Sequence, residues 1–205
     1  MPGPGLYLIT PPAFETAAFA DALGRALDAG PVACLRLALD APEDAIRRAA
    51  DALRPVCAAR DVALLIAEHA RLVAPHGLDG VHLATGAAKA VRAARAEVGP
   101  ERSVGAWGGV SRHWGMTAAE AGADYVALGP VAAGALGDGR EAEPALFQWW
   151  AEMIETPVVA EGGVTPAAAR TLAPWADFVA ARAGVWDHPE GPAEGVRAYL
   201  AAVSG

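Results

Sequence analysis

Lysine is almost missing from this chain: Lys89 is the only one, and arginine carries the rest of the positive charge. A compact, mobile ammonium for gripping phosphates is thus available from a single position. Cysteine is nearly as scarce. Cys34 and Cys57 lack the spacing of a zinc site and fall in an expected strand and an expected helix; both are expected to be buried free thiols of a reducing compartment. No apolar run approaches the roughly 18 residues of a membrane-spanning helix. Met1-Pro2-Gly3-Pro4-Gly5 has no basic stretch leading into a long apolar one, so no signal peptide is expected. A cytoplasmic protein without a membrane partner is therefore the expectation. Positive charge is short overall, with 16 Lys and Arg against 24 Asp and Glu and a net charge of −8. Such a surface repels a nucleic-acid backbone, and no nucleic-acid partner is expected. Phosphate-cradling glycine patterns are missing too. Lys89 is not preceded by the glycines of a P-loop, and Gly137-Asp138-Gly139 lacks the further glycine of a dinucleotide fingerprint.

What the chain has in abundance is apolar surface. Hydrophobic residues make up 54% of it and charged ones 20%, enough to fill a core and too apolar for disorder. Short apolar runs at 6–10, 32–39, 62–67, 80–84, 103–107, 125–131, 157–163 and 178–185 read as strands. Between them lie amphipathic stretches such as 17–29, 42–59, 87–98, 144–154 and 166–172. In the second, Ile46, Ala49, Ala50, Leu53 and Val56 recur at helical spacing. Pro42, Pro144 and Pro166 suit first helical turns, and Asp40 and Thr165 just ahead are helix-capping types. Continuous apolar strands separated by helices imply a parallel sheet covered on its outer face. Eight such units favour a closed (β/α)8 TIM barrel over an open doubly wound sheet, as one domain over residues 1–205. The length is short beside the roughly 250 residues typical of that fold.

In such a barrel, chemistry belongs at the C-terminal strand ends. That rule selects Arg36, Glu68, His69, residues 84–87, 107–113 and 129–139, Gly162, Gly163 and residues 182–186.

Four stretches within this frame resemble the thiamine-phosphate synthase family: Leu6-Tyr7-Leu8-Ile9-Thr10, Leu78-Asp79-Gly80-Val81-His82-Leu83, Gly122-Ala123-Asp124-Tyr125-Val126-Ala127-Leu128-Gly129-Pro130 and Val158-Val159-Ala160-Glu161-Gly162-Gly163-Val164. Each alone is weak. Their order and spacing cover nearly the whole chain and are fairly specific. The resemblance implies a transferase of thiamine biosynthesis that joins a pyrimidine pyrophosphate to a thiazole phosphate and releases pyrophosphate. A carbocation-like pyrimidine is captured by the thiazole nitrogen, which calls for a divalent cation (magnesium) and basic groups.

The family pattern of glutamine, arginine and lysine on strand two reads Cys34, Arg36 and Ala38 here, so the arginine alone is kept. The Asn-Asp-Arg after strand three reads Ala67-Glu68-His69, which leaves Glu68 as the candidate magnesium ligand; the second magnesium aspartate falls on Ala87. The serine ending strand five falls on Trp107, with Ser111 four residues on. The phosphate-gripping Thr-x-Thr-Lys falls on Gly134-Ala135-Leu136-Gly137, and the serine of strand eight on Ala183. Backbone N–H groups at Gly162-Gly163 and Ala183-Gly184 remain as candidate phosphate binders.

Every such feature has a plainer reading. Arg36 would hold a phosphate or pair with a carboxylate such as Glu68. Glu68, His69 and His82 would converge on a cation, though a lone strand histidine is more often a hydrogen-bonded core residue. Trp107, Trp114 and Trp186 would stack on a ring near the mouth or fill a vacated pocket. Trp149 and Trp150 are packing or interface residues, with a homodimer as one outcome. Three functions remain: a synthase of this type, a catalytically degenerate homologue that binds a phosphorylated thiamine precursor or another small phosphate, and an isomerase like the related thiazole tautomerase. The tautomerase places a histidine after strand six, where Pro130 stands here, and His113 would have to reach in as its general base.

Overall fold

Eight parallel strands close on one another in chain order in the computed structural model, which describes residues 3–132, 136 and 139–204. They are β1 (Gly5–Ile9), β2 (Cys34–Leu37), β3 (Ala63–Ala67), β4 (Gly80–Leu83), β5 (Ser103–Gly109), β6 (Tyr125–Leu128), β7 (Val158–Ala160) and β8 (Phe178–Ala181). The helices follow in turn: α1 (Thr16–Leu27), α2 (Glu43–Ala58), α3 (Ala88–Val98), α4 (Arg112–Glu120), α5 (Pro144–Met153), α6 (Pro166–Leu172), the short α7 (Ala183–Trp186) and α8 (Pro192–Val203). A single 3₁₀ turn, Ala70–Leu72, replaces the helix between β3 and β4. This economy, with four-residue strands, lets so short a chain close the barrel. Among the described residues, no helix is long and apolar enough to cross a membrane.

Side-chain alternation along the strands sorts the core into two compartments. Leu6, Leu8, Leu35, Leu37, Leu64, Ile66, Val81, Val104, Val126, Val158 and Val179 point outward against the helices. Tyr7, Ile9, Cys34, Leu65, Tyr125, Ala127, Val159 and Ala180 fill the interior. At the N-terminal end, three aspartates stitch neighbouring strands together. Leu64 N–H donates to Asp79 Oδ2 (2.7 Å), Val104 N–H to Asp124 Oδ2 (2.7 Å) and Val158 N–H to Asp177 Oδ2 (2.8 Å). Each aspartate opens the strand after the one it caps, so the bottom of the barrel is held by a repeated side-chain-to-backbone bond.

Several sequence expectations shift by a few residues. The seventh strand, expected over 157–163, stops at Ala160, because Gly162 (φ 85°) and Gly163 (φ 72°) leave the extended region for conformations that suit glycine. The eighth, expected over 178–185, ends at Ala181, where the chain winds into α7. Thr165 caps α6 as expected, accepting from Ala168 N–H at 3.2 Å. Asp40 does not cap α2: Pro42 is the residue at that cap and makes no side-chain bond. Cys34 and Cys57 are buried free thiols.

Gly105 shows how tightly the interior is fitted. A Cβ there would lie 2.0 Å from Tyr125 Cζ and 2.3 Å from its hydroxyl oxygen. Gly105→Ala is therefore expected to destabilise the fold by about 1–3 kcal/mol, since overpacking must displace the tyrosine. Thermal unfolding of G105A against the unaltered chain checks this.

Candidate functional site

At the C-terminal mouth a cavity of about 680 Å³ opens among Ile9, Arg36, Ala38, Ala67, Glu68, His82, Ala84, Trp107, Pro130, Gly162, Gly163, Arg182, Ala183 and Gly184, with further residues of the β7–α6 turn and Tyr199. Its size suits a small ligand. The strand ends supply it by alternation: Arg36 lies two residues beyond inward-facing Cys34, Glu161 two beyond Val159, and Arg182 two beyond Ala180.

The floor of the cavity is ionic. Arg36 and Glu161 are 6% and 5% exposed, and their side chains meet in a two-pronged pair. Nη1 donates to Oε2 at 3.1 Å, and Nη2 donates to Oε1. Burial by itself would lower the Arg36 pKa, but the Glu161 carboxylate more than offsets it and keeps the guanidinium firmly charged. Arg36 Nε has no hydrogen-bond partner among the described residues. Of the two readings of Arg36, the carboxylate pair is the one formed, and its partner is Glu161, from the end of the expected seventh strand, instead of Glu68.

Below the pair runs a chain of neutral polar groups. The Tyr7 and Tyr125 hydroxyls lie 2.9 Å apart, and His82 Nδ1 lies 3.0 Å from the Tyr125 hydroxyl. The Tyr7 ring also receives the Arg36 guanidinium carbon at 5.6 Å from its centroid. Burial, with Arg36 next, holds the His82 pKa well below the usual imidazole value. Burial likewise pushes the Tyr7 and Tyr125 phenols up. All three rings therefore stay uncharged at neutral pH. His82 thus takes the plainer reading of a strand histidine, hydrogen-bonded in the core.

The remaining candidates divide. Gly162, Gly163, Ala183, Gly184 and Glu68 all line the cavity. Gly162 and Gly163 N–H groups donate to no backbone carbonyl among the described residues, while the Gly162 carbonyl receives Val131 and Ala132 N–H. Glu68, in the left-handed region at φ 62°, accepts a hydrogen bond from Ala84 N–H through Oε1. His69 lines a second surface groove that Glu68 also borders and His82 does not, while His82 lines the cavity, so Glu68, His69 and His82 do not converge. Among the described residues there is no cluster of three metal-ligating side chains. Ala87, at the place of the second family carboxylate, offers no side-chain oxygen. Glu68 alone does not fit a magnesium held by the protein itself.

His113 is exposed on α4, 5.8 Å from the Trp114 ring, and does not line the cavity. Ser111 caps α4 by accepting from Trp114 N–H at 3.3 Å. Of the tryptophans, only Trp107 lines the cavity, leaving it open alongside. Trp186 donates to the Ile9 carbonyl at 2.6 Å and packs against Phe19. Trp114 is 50% exposed, Trp150 is buried and Trp149 half-buried beneath the Arg112 guanidinium. Of the expected phosphate-gripping segment, Gly134, Ala135 and Gly137 lie outside the described residues.

Comparison with known proteins completes the picture. The family model described as thiamine monophosphate synthase matches residues 6–185. A thiamine-phosphate synthase of Rhodospirillum centenum is 48% identical over 194 residues, covering 93% of each chain. One of Hyphomonas neptunium is 39% identical over 204 residues, covering 96% of this chain and 92% of that one. Among solved structures, a thiamine phosphate pyrophosphorylase of Pyrococcus furiosus superposes with a TM-score of 0.79 at 22% identity, covering 97% of this chain and 95% of that one, which speaks to the fold alone.

Two outcomes follow from the geometry. Glu161→Ala strands a buried guanidinium and is expected to cost roughly 3–5 kcal/mol in urea unfolding, whereas Arg36→Met combined with Glu161→Leu recovers most of that loss. His82 stays neutral when folded but takes up a proton near pH 6.5 when unfolded. Its contribution is therefore complete above about pH 6.5 and is lost as the pH falls, by at most about 1.4 kcal/mol per pH unit. Unfolding free energies measured from pH 7.5 to 5 should fall less steeply for His82→Gln than for the unaltered chain.

Proposed function

The chain belongs to the thiamine monophosphate synthase family, and we propose from this and from the shape of its mouth that it is a transferase joining a pyrimidine pyrophosphate to a thiazole phosphate. The observation that carries the reading is the cavity itself, lined by both the Gly162-Gly163 turn and Trp107. In this reading the turn N–H groups receive the thiazole phosphate, and the indole forms an aromatic wall for a heterocycle. The C–O bond of the pyrimidine methylene breaks with both electrons leaving on pyrophosphate. The thiazole nitrogen lone pair then forms the new C–N bond, and no proton need be moved. Ile9, Ala38, Ala67 and Ala84 in the lining leave few polar groups to hold a water that would compete for the cation-like carbon.

A second reading has its own support. Arg36 is already occupied by Glu161, and Ala38 and Ala87 carry no charge where the family pattern has charged residues. These features favour a homologue that binds the phosphorylated precursor without turning it over. Incubation of both substrates with magnesium separates the two. The transferase releases pyrophosphate stoichiometrically with thiamine phosphate. Calorimetric binding of thiazole phosphate with no pyrophosphate release at micromolar protein would hand the assignment to the second reading.

A further inference from the structure

Four charged side chains line the cavity: Arg36, Glu68, Glu161 and Arg182. Their electrostatic availability differs. Arg36 is sealed and neutralised by Glu161. The Glu68 carboxylate is turned to Ala84 N–H. Arg182, immediately after β8, is exposed; its carbonyl accepts from Val185 and Trp186 N–H, but its guanidinium has no hydrogen-bond or ion-pair partner among the described residues. Lys89 is exposed on α3 and does not line the cavity. An anion entering the mouth therefore meets one available cation among the described residues.

The placement of Arg182 has a local cause. Ala180 faces the barrel interior, and the two-residue period of a strand puts Arg182 on the same side, one step nearer the solvent. The next two residues, Ala183 and Gly184, line the cavity along with Gly162 and Gly163 of the adjoining strand end. The backbone of these residues borders the cavity, and Arg182 lines it beside them. The fork geometry of a guanidinium matches two oxygens of a phosphate, and an unpaired one gives up no existing ion pair on binding.

We propose that Arg182 is the phosphate-binding cation of this mouth, taking the phosphate monoester of the heterocyclic substrate beside the Gly162-Gly163 turn, while Arg36 serves only to neutralise Glu161. This rests on the proposed function for the identity of the heterocycle, but not for the anion site. The charge balance of the cavity then has a consequence for selectivity. One free guanidinium suits a monoester, and the anion requirement falls on β8 instead of β2.

Calorimetry with three probes tests it: thiazole phosphate, its dephosphorylated alcohol and inorganic phosphate, each against the unaltered chain, Arg182→Ala and Arg182→Lys. The expected result is a loss of about 10- to 100-fold in thiazole phosphate affinity for R182A, unchanged affinity for the alcohol, and partial recovery in R182K. The fall in affinity between low and high salt should also flatten in R182A. If inorganic phosphate binds and depends on Arg182 while thiazole phosphate does not bind, the anion site stands and the proposed function fails. Equal affinity of R182A and the unaltered chain for thiazole phosphate overturns the role of Arg182 and leaves the function standing. No binding of either phosphate to the unaltered chain overturns both. Matched thermal unfolding of the variants separates binding loss from misfolding.

Discussion

A guanidinium and a carboxylate, both almost sealed from water, face each other across the barrel from β2 and β7. Neither can be removed alone, because the survivor would be an uncompensated charge in a medium that solvates it poorly. The constraint reaches beyond the two residues. Glu161 is followed directly by Gly162 and Gly163, whose turn bounds the cavity, and its carbonyl receives Val131 N–H from the loop after β6. Fixing Glu161 on Arg36 thus fixes the late rim of the mouth relative to its early rim.

The same pair organises the layer beneath it. Arg36 sits over Tyr7, Tyr7 meets Tyr125, and Tyr125 meets His82. The hydrogen-bonded chain ties β1, β4 and β6 together through their interior, and the Arg36 guanidinium over the Tyr7 ring adds β2. Burial keeps all three rings neutral; the Arg36 charge adds to this at His82 and opposes it at the two phenols, where burial wins. Room for Tyr125 depends in turn on the missing side chain at Gly105. The barrel interior under the cavity is therefore filled, by an apolar cluster with the Tyr7–Tyr125–His82 chain running through it.

The rim of the mouth has a different charge pattern from the one the family resemblance predicts. Alanine stands at positions 38 and 87, and a glutamate neutralises the arginine that is kept. Positive charge is relocated to Arg182, which lines the cavity beside small residues. In the proposed reading, backbone groups and one arginine replace a set of charged side chains as the means of facing an anion. This arrangement is compatible with family membership because the fold and its late turns persist while individual side chains at the rim are free to change.

The sequence alone determined the barrel. Apolar runs at regular intervals, helix-compatible stretches between them and prolines at helix starts are local signals, and the strands and most helices stand within a few residues of where those signals put them. It also determined which loops face the cavity, since strand direction follows from alternating β and α segments; Gly162, Gly163, Ala183, Gly184 and Glu68 were found this way. Tertiary structure decided the pairings. Nothing local couples Arg36 to Glu161, 125 residues away, or brings Tyr7, His82 and Tyr125 into one chain. His113 looked available from its loop position, yet it points to solvent from a helix that the strand pattern did not reveal. Electrostatic partnership is a property of three-dimensional distance, so only the folded barrel could show that Arg36 is spent and Arg182 is free of a described partner.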